Sequence, residues 1–165
     1  MFERYTERAR RVIFFARYEA SQLGSPAIEA EHLLLGLVRE GRGVTQKILA
    51  KAGLSPEVVR REVETRAPHA ESVSSAAEIP LSASSKRVLA LAAEEAERML
   101  NSHIGTEHIL LGLVREETTL AASILTARGV RLPVVRDEAL QLLGERPTPP
   151  KGREAPLLAE FSRDL

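Results

Sequence analysis

Two pairs of adjacent side chains could do chemistry in this chain: Glu31-His32 and Glu107-His108. A carboxylate beside an imidazole can exchange protons, ligate a metal or receive a cation. The pairs sit inside one repeated block. Ile28-Glu29-Ala30-Glu31-His32-Leu33-Leu34-Leu35-Gly36-Leu37-Val38-Arg39-Glu40 returns as Ile104-Gly105-Thr106-Glu107-His108-Ile109-Leu110-Leu111-Gly112-Leu113-Val114-Arg115-Glu116. The offset is 76 (107 − 31) and runs without a gap, from Arg11-Val12 and Arg87-Val88 to Val58-Val59-Arg60 and Val134-Val135-Arg136. Two copies of one unit predict two similar surfaces related by a pseudo-twofold, which suits a recognition device better than a single-site enzyme.

The chemistry open to these residues is narrow. Adjacent helical residues point about 100° apart, and no His-Glu-x-x-His spacing exists, so no metal site is expected. There is no cysteine, hence no thiol nucleophile or thiolate ligand. No Gly-x-x-x-x-Gly-Lys-Ser/Thr loop occurs, and no nucleophile–base set supports catalysis. No cofactor is expected.

What remains for Glu31 and Glu107 is either charge–dipole stabilisation of a helix start, worth roughly 0.3–1 kcal/mol, or binding of a ligand. A carboxylate takes a guanidinium as a bidentate pair, and helix-start amides take a phosphate. Thr106 strengthens the second block, since its hydroxyl could cap the helix, whereas Ala30 in the first cannot. The simpler reading of His32 and His108 is a buried or capping histidine that fixes the loop before the helix.

The elements that must position these residues are helices. Thr6 is an N-cap, and Ala9, Val12, Ile13, Ala16, Ala20 and Leu23 recur at helical steps until Gly24-Ser25-Pro26. Further helices are expected over about 30–40, 44–52 and 55–66, then over about 82–100, 106–116, 120–128 and 133–143. The runs 33–38 and 109–114 are apolar nearly all round, so their helices are central. Gly36 and Gly112 interrupt them at a cost of about 1 kcal/mol each, which points to a neighbouring helix packed too close for a side chain. Arg39-Glu40 and Arg115-Glu116 are expected on a solvated ion-pair face. The fold class is therefore all-α: about eight helices in two pseudo-twofold-related four-helix repeats, residues 1–67 and 82–144. Residues 68–81 connect them, and a Pro-rich linker fills 145–165. Each half is too small for a secure core of its own, so the halves should pack on each other.

Arg10, Arg11, Lys86 and Arg87 form a small basic cluster on equivalent helices, solvated or assisting anion binding. Phe2 and Leu81 either staple their helices or line a shared apolar groove beside Arg10 and Lys86. Lys+Arg and Asp+Glu are both 23, which removes the electrostatic argument for nucleic acid or an anionic membrane. With no apolar signal segment, the chain is expected to be soluble and cytoplasmic.

The repeated Glu-His block, the Phe2-Glu3-Arg4-Tyr5-Thr6-Glu7-Arg8-Ala9 opening and the Leu140-Gln141-Leu142-Leu143-Gly144 close together resemble the N-terminal double-repeat domain of Clp AAA+ unfoldases of the ClpC type. The resemblance covers about residues 2–144. It implies a non-catalytic domain that binds client proteins and adaptor proteins above a hexameric unfoldase, which passes clients to the ClpP protease. By motif position it also implies that Glu31 and Glu107 bind phosphorylated arginine on clients. Glu29-Ala30 replaces the family's Gly-Thr, which weakens the expectation for the first site. The final stretch, 157–165, resembles the segment that leads into the first ATPase ring. A free-standing regulator occupying unfoldase docking surfaces is the alternative; an enzyme ranks third.

Overall fold

The computed structural model describes residues 4–66 and 78–144, with side chains through 141. Phe2, most of the connector and the Pro-rich linker lie outside the described residues, and with Phe2 goes the pairing that would define the apolar groove. The described residues form eight helices: α1 Glu7–Gln22, α2 Ala30–Glu40, α3 Gly43–Lys51, α4 Pro56–Arg66, α5 Ala83–Arg98, α6 Thr106–Arg115, α7 Leu120–Ala127 and α8 Leu132–Gly144. Among the described residues there is no strand, only two isolated bridges.

Short polar side chains start these helices by taking otherwise unpaired amides. Thr6 accepts from the Ala9 amide at 3.1 Å, Ser82 from Ser85 at 3.1 Å, and Thr119 from Ala122 at 3.1 Å. Gly41, at φ 60, ends α2 in the left-handed conformation that glycine adopts without strain. Gly43 then opens α3, one residue ahead of the expected start at 44.

α2 and α6 are buried along almost their whole length and meet at the pseudo-twofold. Leu33, Leu34, Ile109, Leu110, Leu111 and Leu113 are fully enclosed, each contributing roughly 1.5–3 kcal/mol through burial. α1 lies against α2, and α5 against α6, through a stripe of small residues: Ala9, Val12, Ala16 and Ala20 on α1, and Ser85, Val88, Ala92 and Ala96 on α5. A Cβ on Gly36 would run into the Val12 carbonyl oxygen, and one on Gly112 into that of Val88. The two glycines therefore set the depth at which each outer helix seats.

One core runs through both repeats. The stitching is reciprocal. Ahead of α1, Thr6 N donates to Ile104 O at 3.0 Å and Ile104 N to Arg4 O at 2.8 Å. Ahead of α5, Ile28 N donates to Pro80 O at 2.8 Å and Ser82 N to Ile28 O at 3.0 Å. Each repeat's opening residues thus pair with the loop that precedes the other repeat's central helix. Leu81 belongs to this bridge and packs half-buried against the core.

Candidate functional site

The two Glu-His blocks form the N-terminal turns of α2 and α6. In each, the histidine closes the turn. Gly105 N donates to His108 Nδ1 at 2.8 Å, and Glu29 N to His32 Nδ1 at 2.8 Å. His108 Nδ1 accepts the Gly105 hydrogen bond, so the neutral ring carries its hydrogen on Nε2, which donates to Asn101 Oδ1 at 2.9 Å. Burial pushes the His32 pKa down to about 4 despite the nearby Glu19 charge. Burial also lowers His108, against the pull of Glu107 and Glu95. These are loop-fixing histidines, as the pattern suggested. Among the described residues no group of three or more potential ligands could hold a metal.

Around Glu107 the surface opens into a cleft of about 520 Å³. The start of α1, Val44 of α3, the 101–103 loop and the first turn of α6 line it. His108 N and Ile109 N both donate to Gly105 O, while the Thr106 and Glu107 amides have no backbone acceptor among the described residues. Gly105 leaves the Glu107 carboxylate room to fold back: a Cβ there would stand 2.8 Å from Oε1. Arg8 also lines the cleft, beside Glu7, and brings a cation to it. Sequence reasoning did not single it out, although the repeat offset contains the signal: Arg8 has Ser84 as its counterpart.

The first block differs. Glu29 takes the place of Gly105, and Ser84 donates to its Oε1 at 3.4 Å. Burial raises the Glu31 pKa, its own amide lowers it, and the Glu29 charge raises it again. Glu31 is half-buried rather than an exposed cap, as is Glu107.

Thr106 is not the cap. Gly105 holds that position, and the Thr106 hydroxyl is buried 2.8 Å from Thr45 Oγ1 of α3. The offset maps this pair onto Ala30 and Ala121, both buried. A hydroxyl pair on one side of the pseudo-twofold is an alanine pair on the other, which accounts for Ala30 as a packing choice.

The expected solvated face at Arg39-Glu40 and Arg115-Glu116 is also corrected. Arg39 and Arg60 converge on Glu19, at 3.0 and 2.7 Å, and Glu19 is 1% exposed. Arg115 and Arg136 converge on the fully buried Glu95, with Arg136 engaging both carboxylate oxygens at 3.1 and 2.8 Å. Burial alone would raise the Glu95 carboxyl; the Arg136 hydrogen bond and the charges of Arg136, Arg115 and Arg98 bring it below its ordinary value. Glu40 is buried as well, 3.5 Å from Arg11, while Glu116 takes Arg87 at 2.8 Å. Of the basic cluster, Arg11 and Arg87 are thus committed to ion pairs, and Arg10 and Lys86 stay exposed.

A duplicated all-α unit, with a Glu-His turn at the start of each central helix and a cleft at the second, defines a class of two-repeat helical domain. The chain belongs to the Clp repeat (R) N-terminal domain family, which matches residues 4–128 and 92–163. It is 41% identical over 171 residues to the negative regulator of genetic competence ClpC/MecB of Bacillus subtilis. It is 40% identical over 171 residues to a Guillardia theta homologue of the ATP-binding subunit ClpA of the ATP-dependent Clp protease. Both matches cover all of this chain and 21% of the relative, so the chain spans about a fifth of their length. Its structure is similar to the N-terminal domain of ClpD from Arabidopsis thaliana, with TM-score 0.70, 33% identity and coverage of 87% of this chain and 97% of that one. A ClpV N-domain in complex with a VipB peptide shares the fold, with TM-score 0.68, 14% identity and coverage of 87% and 89%.

Proposed function

We propose that this domain recognises client and adaptor proteins for an ATP-dependent Clp unfoldase, and that the α6 cleft reads phosphorylated arginine. The observation that carries the reading is the cleft itself. It brings together a half-buried carboxylate (Glu107), two backbone amides without backbone partners and the Arg8 guanidinium. Phosphoarginine needs those parts. Its guanidinium would lie on the Glu107 carboxylate, and its phosphate would take the amides with Arg8 as counter-charge. Glu31 serves a weaker second site, because Glu29 adds a like charge and fills the space that Gly105 leaves open. Passage of clients to ClpP and residence in the cytoplasm belong to this reading of the parent protein. So do the linker role of 145–165 and the division into repeats 1–67 and 82–144.

Calorimetric titration with free phosphoarginine tests it. Glu107→Gln removes the charge-assisted contact and should cost roughly 1.5–3 kcal/mol, about 10- to 150-fold in affinity. Glu31→Gln should cost less, and the double variant should lose binding with its helical content intact. No heat from the unaltered chain at millimolar ligand, or equal affinity in the double variant, would return both residues to helix-dipole stabilisation.

A further inference from the structure

The chain is poor in aromatic residues, with four Phe and two Tyr, yet three of the six fall within 14–18 on α1. Phe14 is 63% exposed and Tyr18 38% exposed, one helical turn apart on the same face. Phe15 packs edge-on to Phe14, with ring centroids 6.1 Å apart. Arg39 of α2 lies over both Phe15 and Tyr18, at 5.0 and 4.9 Å from the ring centroids, and its other contact, with buried Glu19, fixes it there. The rings are therefore held in place before anything binds.

The core does not require them. The same unit is built in the second repeat with Ala90, Leu91 and Glu94 at these positions, and Ala90 is exposed there as Phe14 is here. Phe14 is not a lone exposed ring: it adjoins Phe15 and stands one turn from Tyr18, so the side chains form a contiguous aromatic patch. The charge around it is one-sided. Apart from Arg8, which lines the Glu107 cleft, α1 carries Arg10, Arg11 and Arg17 against Glu7 and the buried Glu19, and Glu7 is itself paired with Arg11.

We infer that the outer face of α1 is a docking surface for an acidic amphipathic helix of a partner protein, gripped by Phe14 and Tyr18 and flanked by arginines. Arg10, Phe14 and Tyr18 recur every four residues, about 6 Å per step, which matches apolar anchors one turn apart on a docked helix. Carboxylates beside those anchors would meet Arg10 and the neighbouring guanidiniums. A membrane fits less well, because the apolar stripe is only two side chains long and the opposite face of α1 is locked in the core. The inference rests on the domain's role as a recognition module but uses a face separate from the Glu107 cleft.

Fluorescence anisotropy with a designed amphipathic peptide, Leu and Phe one turn apart and flanked by Glu, reads this surface. The decisive variant is Phe14→Ala/Tyr18→Glu, which installs the residue types that the second repeat already accommodates. The unaltered chain should bind the acidic peptide, more tightly at low salt. The variant should bind about tenfold more weakly or worse while keeping its melting temperature and its heat with phosphoarginine. A peptide with Lys in place of Glu should not bind. Equal affinity in the two chains or tight binding of the Lys peptide would overturn the inference. So would capture by anionic phosphatidylglycerol vesicles without peptide binding, or self-association that the variant abolishes. Loss of phosphoarginine binding alone, with peptide binding intact, would count against the cleft reading and leave this one standing.

Discussion

The first and second repeats share a skeleton and diverge where it meets solvent. Gly36 and Gly112 seat the outer helices identically, and Glu19 and Glu95 collect equivalent arginines. The helix-start clefts and the outer faces of α1 and α5 carry different residues. The lesson is a division of labour. The second repeat keeps an open, polar cleft, and the first fills its counterpart with Glu29 and displays aromatics on α1 instead. Even the buried triads differ: Arg136 meets both oxygens of Glu95, whereas Glu19 Oε1 has no hydrogen-bond partner.

That last contrast yields the largest expected effect. Glu95→Ala strips the half-buried Arg136 of its carboxylate and leaves Arg115 only the exposed Glu94, so it should destabilise by about 3 kcal/mol in urea denaturation. Glu19→Ala should cost nearer 2 kcal/mol, because its arginines reach water more freely and one oxygen already goes unmatched. Equal losses would show that the extra hydrogen bond contributes nothing.

Acid should act comparably through His32. The unfolded chain protonates near the ordinary histidine value of about 6.5, and the folded chain only near about 4. Between those values the unfolded state binds more protons, so stability falls as pH falls. The loss should reach roughly 3 kcal/mol by pH 4. Replacing His32 with Gln should flatten that part of the pH–stability curve, and an unchanged curve would mean the ring is charged when folded.

Thr106 separates packing from binding. Thr106→Ala strands the buried Thr45 hydroxyl and should cost about 1–2 kcal/mol. Adding Thr45→Ala should recover most of it, since Ala30 and Ala121 already make the equivalent arrangement. Phosphoarginine affinity should hold in the double variant; a large drop would place the hydroxyl in the ligand site.

The smallest effect runs the other way. Leu100 has φ 60 and is 92% exposed, where the first repeat has Gly24 at φ 68. Leu100→Gly should raise stability by up to about 1 kcal/mol in thermal unfolding, by relieving a left-handed leucine.

The helices were legible because their signals are local: apolar steps of three and four, Thr6 as a cap, Gly36 and Gly112 as close approaches. The histidines were legible for the same reason, since each bonds a backbone amide three residues away. Long-range partners were not. Arg60 reaches Glu19 across 41 residues, and nothing in either neighbourhood names the other. A signal existed nonetheless, in an acid repeated at 19 and 95 on a buried face made mostly of small and aliphatic residues. Thr106 misled because a hydroxyl at a helix start is usually a cap; here its partner came from the other repeat.

The crossed bridges have a consequence for how the chain is made. As residues emerge in order, Arg4–Thr6 finds its backbone partner at Ile104 only after roughly a hundred more have followed. The inner bridge, Ile28 with Leu81, closes about half that distance. Doubling a loop adds only about 0.6 kcal/mol of closure entropy, so the delay is one of synthesis rather than thermodynamics. A ribosome stalled before residue 104 would hold a first repeat with its opening segment unpaired, exposed to proteases until the second block arrives.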